Sequence, residues 1–201
     1  MTNIQKVRKT ISEEGGIVKA ANLVKIGMTN SEIQRLCRNG SLQKIQHGYY
    51  KVADTDEPCD EKLIASFFPD GIICLDSALF LYGYSDRTPI EWTITFNRKI
   101  SRSRLNIDYP IIKPYFVDEK LLLIGKTEIK INDVCLKIYD RERVICDCFK
   151  YKNKIDSEIF NKAINAYIID DKKNMNNLSL YAKKLRVFNK LNEIIEVLIN
   201  V

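Results

Sequence analysis

A chain of 201 residues, 45% hydrophobic and 29% charged, is long enough to bury one large core or two small ones, and its composition is that of a globular protein rather than a disordered one. No apolar run approaches the roughly 18 residues of a membrane span, and "MTNIQKVRKTISEEGG" lacks the continuous apolar stretch of a signal peptide. A cytoplasmic protein with no membrane partner is expected. The net charge of +6 is concentrated: residues 1–52 hold nine basic and three acidic side chains and the remainder 23 of each, which points to a basic module that meets a polyanion followed by a neutral one.

The helical spacing of Ile4, Val7 and Ile11 predicts a first helix over residues 3–12 that stops before Gly15 and Gly16. A second is expected over residues 19–26, burying Ala20, Leu23 and Val24. Thr29, Asn30, Ser31 and Glu32 then form the T-x-x-E pattern of a capping box, in which the Thr29 hydroxyl and the Glu32 carboxylate satisfy each other's free backbone amides. The third helix so started buries Ile33, Leu36 and Cys37, leaves Ser31, Gln34, Arg35 and Arg38 on its other side, and stops at a left-handed Gly40. "SLQKIQHGYYKV" reads as a β-hairpin around a His47-Gly48 turn. Three helices and a hairpin predict a winged helix-turn-helix over residues 1–56, and the acidic, Pro58-containing "ADTDEPCDE" reads as a linker.

A second domain is expected over residues 57–201. A short helix over residues 62–68 opens it, "GIICL" is a buried strand, Asp76 can cap a helix over "SALFLYG", and "EWTITF" alternates as a strand should. "NRKISRSRLNIDYP" reads as a basic loop, "PIIKPYF" as a strand, and "TEIKI" and "CLKIY" as a hairpin across Asn132 and Asp133. Beyond residue 140 the chain turns helical through "RERVICDCFKY", "SEIFNKAINAYII", "LSLYAKKLRV" and "NKLNEIIEVLI". The fold class is therefore α+β: a winged helix-turn-helix, then a mixed α/β domain ending in a helical bundle.

In a helix-turn-helix the second helix enters the major groove with its first residues over the base edges. That places Thr29, Asn30, Ser31, Gln34 and Arg35 nearest the bases, Arg38 at a phosphate, and Lys44, Gln46 and His47 on a wing within reach of the sugar-phosphate strand. The loop bearing Arg98, Lys99, Arg102 and Arg104 is a second possible polyanion contact. For catalysis the sharpest pattern is Glu128-x-Lys130, half of a nuclease metal site that Asp70 would complete. This gives the alternative of a metal-dependent nuclease with a DNA-targeting arm, although the same residues make one arm of an ordinary hairpin. Of the six cysteines only Cys146 and Cys148 lie close together, and His47 is the single histidine, so buried free thiols and no metal site are expected. Neither the phosphate-loop nor the dinucleotide glycine pattern is present, and a non-enzyme without a cofactor is expected.

The order of four segments carries a resemblance. "GGIVKAANLVKIGMTNSEIQRLCRNGSLQKIQHGYYKV", "PDGIICLDSALFLYGYSDRTPIEWTITFNR", "KIYDRERVICDCFKYKNKI" and "AINAYIIDDKKNMNNLSLYAKKLRV" together resemble the AbiEi antitoxins of type IV toxin-antitoxin, or abortive-infection, systems. The resemblance implies an N-terminal winged helix that binds inverted repeats ahead of its own operon and represses it. It also implies a C-terminal domain that counters a nucleotidyltransferase-like toxin without a stable complex. It assigns residues 29–39 to DNA reading and 42–52 to the wing, and it transfers no residue-level motif for antitoxicity.

Overall fold

The computed structural model describes residues 3–199, and the side chains of residues 4–193. The described residues form ten α-helices and two sheets, an α+β fold, in two compact units, 1–69 and 70–201.

In the first unit α1 (Asn3–Glu13), α2 (Ala20–Lys25) and α3 (Asn30–Arg38) are joined by β1 (Val18–Lys19) and followed by the hairpin β2 (Leu42–Gln46) and β3 (Tyr49–Val52). The sheet order is β1-β3-β2, all antiparallel. Val7, Ile11, Val18, Leu23, Met28, Ile33, Leu36, Leu42 and Val52 form one buried cluster. Each such side chain contributes about 1.5–3 kcal/mol on full burial, so this apolar seam holds the helices to the sheet. The helix over residues 19–26 is shorter than expected because Lys19 joins β1 opposite Tyr49; its Val24 is 48% exposed rather than buried.

The segment read as a linker is structured. The Lys51 ammonium, in a side chain only 3% exposed, donates to the Thr55 and Asp56 carbonyls and pairs with Glu57 at 3.0 Å. A buried ammonium is costly without such acceptors, so the chain after β3 is fastened to the hairpin. The helix α4 (Asp60–Phe67) belongs to this first unit rather than opening the second, with Phe67 edge-on to Tyr49 at 4.6 Å.

In the second unit β4 (Ile72–Ile73), β5 (Trp92–Asn97), β6 (Ile112–Val117), β7 (Lys126–Ile131) and β8 (Val134–Tyr139) form a mixed sheet of order β6-β5-β4-β8-β7. Asn132 and Asp133 both have positive φ, the backbone of a two-residue hairpin turn. Pro114 lies on the edge strand β6, where a missing N–H discourages strand addition. The helix α5 (Leu75–Leu81) starts after Cys74 with no side-chain cap, so Asp76 does not cap it. A short α6 (Glu119–Leu122) precedes the hairpin, and α7 (Arg141–Lys150), α8 (Ser157–Ile169), α9 (Met175–Leu185) and α10 (Phe188–Ile199) complete the helical part.

Helix α7 is buried nearly throughout, polar residues included. Asp140 caps it, accepting from the Arg143 amide. The Arg143 guanidinium donates to Asp147 at 3.0 Å and to the Leu121 and Ile124 carbonyls at 2.7 and 2.9 Å, and lies 4.1 Å from the Tyr139 ring centre. Gly125 leaves room for this arginine: a β-carbon there would sit 2.5 Å from the Arg143 β-carbon. All six thiols are free; Cys74, Cys146 and Cys148 are buried, whereas Cys135 is exposed on β8.

Candidate nucleic-acid interface

Helix α3 begins at the expected capping box. The Glu32 amide donates to the Thr29 hydroxyl at 3.2 Å, and the Glu32 carboxylate accepts from the Thr29 amide at 2.8 Å. The Thr29 hydroxyl also donates to that carboxylate at 2.9 Å, so the group expected over the base edges is spent on the cap. Asn30, Ser31, Gln34, Arg35 and Arg38 are all exposed, while Ile33 and Leu36 are buried beneath them. The burial of one side fixes which way the other faces, and this is why α3 presents a polar row.

The hairpin places its cation next to this helix. Lys44 pairs across the sheet with Tyr50, whose ring packs on the apolar cluster. Burial pushes the half-buried Cys37 thiol of α3 up, and the nearby Lys44 ammonium partly opposes that shift. Lys44 thus lies near the Cys37 side of α3. His47 is exposed at the two-residue turn, and Gln46 is half-buried beside it. Lys25, at the last turn of α2, is a further cation just before α3; sequence reasoning missed it, although its place one turn from the capping box was the available signal.

Charge is distributed differently from the sequence expectation. Ending the first unit at residue 69 brings in five more acidic side chains and Lys62, which gives +2 for unit one and +4 for unit two. What is segregated is pairing rather than net charge. Arg8 pairs with Asp54, Lys9 with Glu13 and Lys51 with Glu57, whereas Arg35, Arg38 and Lys44 make no ion pair among the described residues.

The second basic loop is engaged within its own unit. Arg104 forms a two-pronged pair with Asp70 at 3.0 and 2.9 Å, Arg98 pairs with Asp118 at 3.6 Å, and the Arg102 guanidinium stacks 3.2 Å from the Phe116 ring centre. Of the four, Lys99 alone is exposed with neither an ion pair nor a ring contact among the described residues. The pair with Arg104 also occupies Asp70, the third group of the nuclease pattern. Glu128 and Lys130 do lie on one face of edge strand β7, where Glu128 accepts from the Cys135 thiol at 3.3 Å and Lys130 pairs with Asp133 at 2.9 Å. Among the described residues no group of three His, Cys, Asp or Glu side chains is placed to hold a metal ion, and no helix is long and apolar enough to cross a membrane.

No protein-family model matches the chain, and no curated protein does. Among solved structures it is similar to the RV2827C protein from Mycobacterium tuberculosis, with a TM-score of 0.62 at 13% identity over 91% of this chain and 72% of that one. At that identity the likeness is one of fold.

Proposed function

We propose that this chain is a DNA-binding autorepressor and antitoxin of the AbiEi kind. In this reading unit one is a winged helix-turn-helix with α3 in the major groove of inverted repeats ahead of its own operon, and unit two counters a nucleotidyltransferase-like toxin without a stable complex. The observation that carries the DNA half is the exposed row Ser31, Gln34, Arg35 and Arg38 on a capped helix that runs into a hairpin with an exposed Lys44. Gln34 matches the N6/N7 edge of adenine and Arg35 the O6/N7 edge of guanine. The antitoxin half rests on the resemblance in segment order.

The test uses the full chain in cells. Gln34→Ala/Arg35→Ala is expected to release repression of a reporter driven by the upstream DNA while still protecting cells from the toxin encoded beside it. A variant that loses both activities while remaining folded contradicts the division of labour between the units.

A further inference from the structure

We propose that the free edge of β7 docks a second copy of this chain, the two β7 strands pairing antiparallel about a two-fold axis at Ile129. Of the two outer strands of the larger sheet, β6 carries Pro114, whereas β7 has neither proline nor bulge and pairs with β8 in unbroken register from Lys126 to Ile131. The hairpin decides which backbone groups are free. Ile131 and Val134 flank the two-residue turn as a hydrogen-bonded pair, so Thr127, Ile129 and Ile131 direct their amides and carbonyls to β8. Glu128 and Lys130 direct theirs outward, where among the described residues no other strand meets them. Exposed backbone of this kind is a template for a further strand.

A second β7 bonds these groups only in registers that set even-numbered positions against even-numbered ones, and charge separates those registers. With Glu128 opposite Glu128, Lys126 faces Lys130; with Lys130 opposite Lys130, like charges meet at the axis; with Thr127 at the axis, only residues 126–128 of each strand overlap. With Ile129 at the axis, residues 127–131 overlap, and Glu128 of each copy faces Lys130 of the other, so two opposite-charge pairs form. Edge lysines ordinarily repel a like edge, and the Glu128 between Lys126 and Lys130 turns that repulsion into attraction in this register. Both charges are open to it: Glu128 and Lys130 are exposed, and the pair of Lys130 with Asp133 lies in solvent, where it gives way readily to a second carboxylate. On the other face Ile129 meets its own copy and Ile131 meets Thr127. Ile129 and Ile131 are half-buried beside the buried Leu136, and the pairing supplies the cover they lack within the unit.

One short strand against another is a small interface, so the association is weak and is read by trapping it. Full-length Ile129→Cys and Thr127→Cys, each in a Cys135→Ser background, are oxidised mildly and followed on non-reducing gels, with Cys135→Ser alone as the baseline for the remaining thiols. At the axis the two introduced thiols occupy a non-hydrogen-bonded pair with Cα atoms about 4.5 Å apart, within reach of a disulfide. Two thiols at 127 stand four residues out of register, roughly 13 Å apart and beyond reach, although Thr127 is the more exposed position. Ile129→Cys is expected to form the linked dimer at least about tenfold faster. Adding Lys130→Glu sets glutamate against glutamate twice and is expected to slow trapping about tenfold, and adding Glu128→Lys as well restores opposite charges and the rate to within about threefold. Should the cysteine variants melt early, sedimentation equilibrium at high concentration carries the same test on wild type, Lys130→Glu and the double inversion, whose changes lie at exposed positions. Trapping at 129 no faster than at 127, or association that ignores both charge changes, overturns the inference. It does not rest on the DNA-reading proposal, and neither result bears on that proposal.

Discussion

Two helices of this protein with an acidic or hydroxyl cap each carry two arginines, in the last turn of α3 and the first of α7, and their fates differ. In α3, Arg35 and Arg38 stand exposed above a buried Ile33 and Leu36. In α7, Arg143 is fully buried and its guanidinium is shared among a carboxylate, two carbonyls and a ring, while Arg141 pairs with Asp170 at 2.9 Å. Arginine in the second helix organises the fold; arginine in the first contributes little to it and is available to a partner. The same residue type is therefore structural or interactive according to whether its guanidinium is engaged within the fold, as Nε and Nη1 of Arg143 are although its Nη2 has no hydrogen-bond partner among the described residues.

The contrast is open to breakage at five positions. The largest effect is expected at Arg143→Ala, which strands the buried Asp147 carboxylate and costs about 3–5 kcal/mol, measured by denaturant unfolding. A loss under about 1 kcal/mol would mean that α7 does not depend on its buried charge. Next, Arg35→Ala and Gln34→Ala are each expected to lose about 1–3 kcal/mol of specific DNA affinity while stability stays within about 0.5 kcal/mol. Third, Asp170→Asn removes a carboxylate that accepts from Tyr84 and Arg141, costing about 1–2 kcal/mol at neutral pH.

That third effect has a pH signature. The Tyr84 hydroxyl, the Lys172 amide and Arg141 hold the Asp170 carboxyl below its ordinary value, so folding favours the ionised form. Its stabilisation is present above the unfolded-state value near 3.8 and is lost as pH falls through the lower folded value. The gap between wild type and Asp170→Asn should therefore close on acidification, and a gap independent of pH would contradict the assignment. The smallest effect, about 1 kcal/mol of stability, is expected for Thr29→Ala through the capping box. Its DNA affinity should change only in proportion to that loss, because the hydroxyl is already bonded.

Much of this was legible in the sequence, for physical reasons that vary by element. The T-x-x-E box at Thr29 announced α3 because capping is local chemistry, and Asn132 and Asp133 announced their turn because few residues tolerate positive φ. Val24 misled because periodicity counts apolar residues without seeing how short α2 becomes once Lys19 pairs with Tyr49. The segment after β3 misled because acid and proline suggest solvent, whereas Lys51 and Arg8, distant or facing it only in the fold, supply its partners. Arg143 was hidden for the same reason: three of its acceptors come from Leu121, Ile124 and Asp147, and only the last lies within a helical turn. Within the candidate site the exposed row of α3 was readable, while the proximity of Lys44 and the occupation of Arg98, Arg102 and Arg104 depended on contacts across the chain.

The central claim is that α3 and Lys44 form a surface that reads duplex DNA. An anisotropy titration of the full chain near physiological salt, against the duplex just upstream of its own gene and a scrambled duplex of equal length, tests it most directly. The account predicts tight binding to the first, weaker binding to the second, and a log-log salt slope of about −4 to −5 from roughly four to six phosphate contacts. Equal weak binding to both duplexes, with a slope near zero, would contradict it.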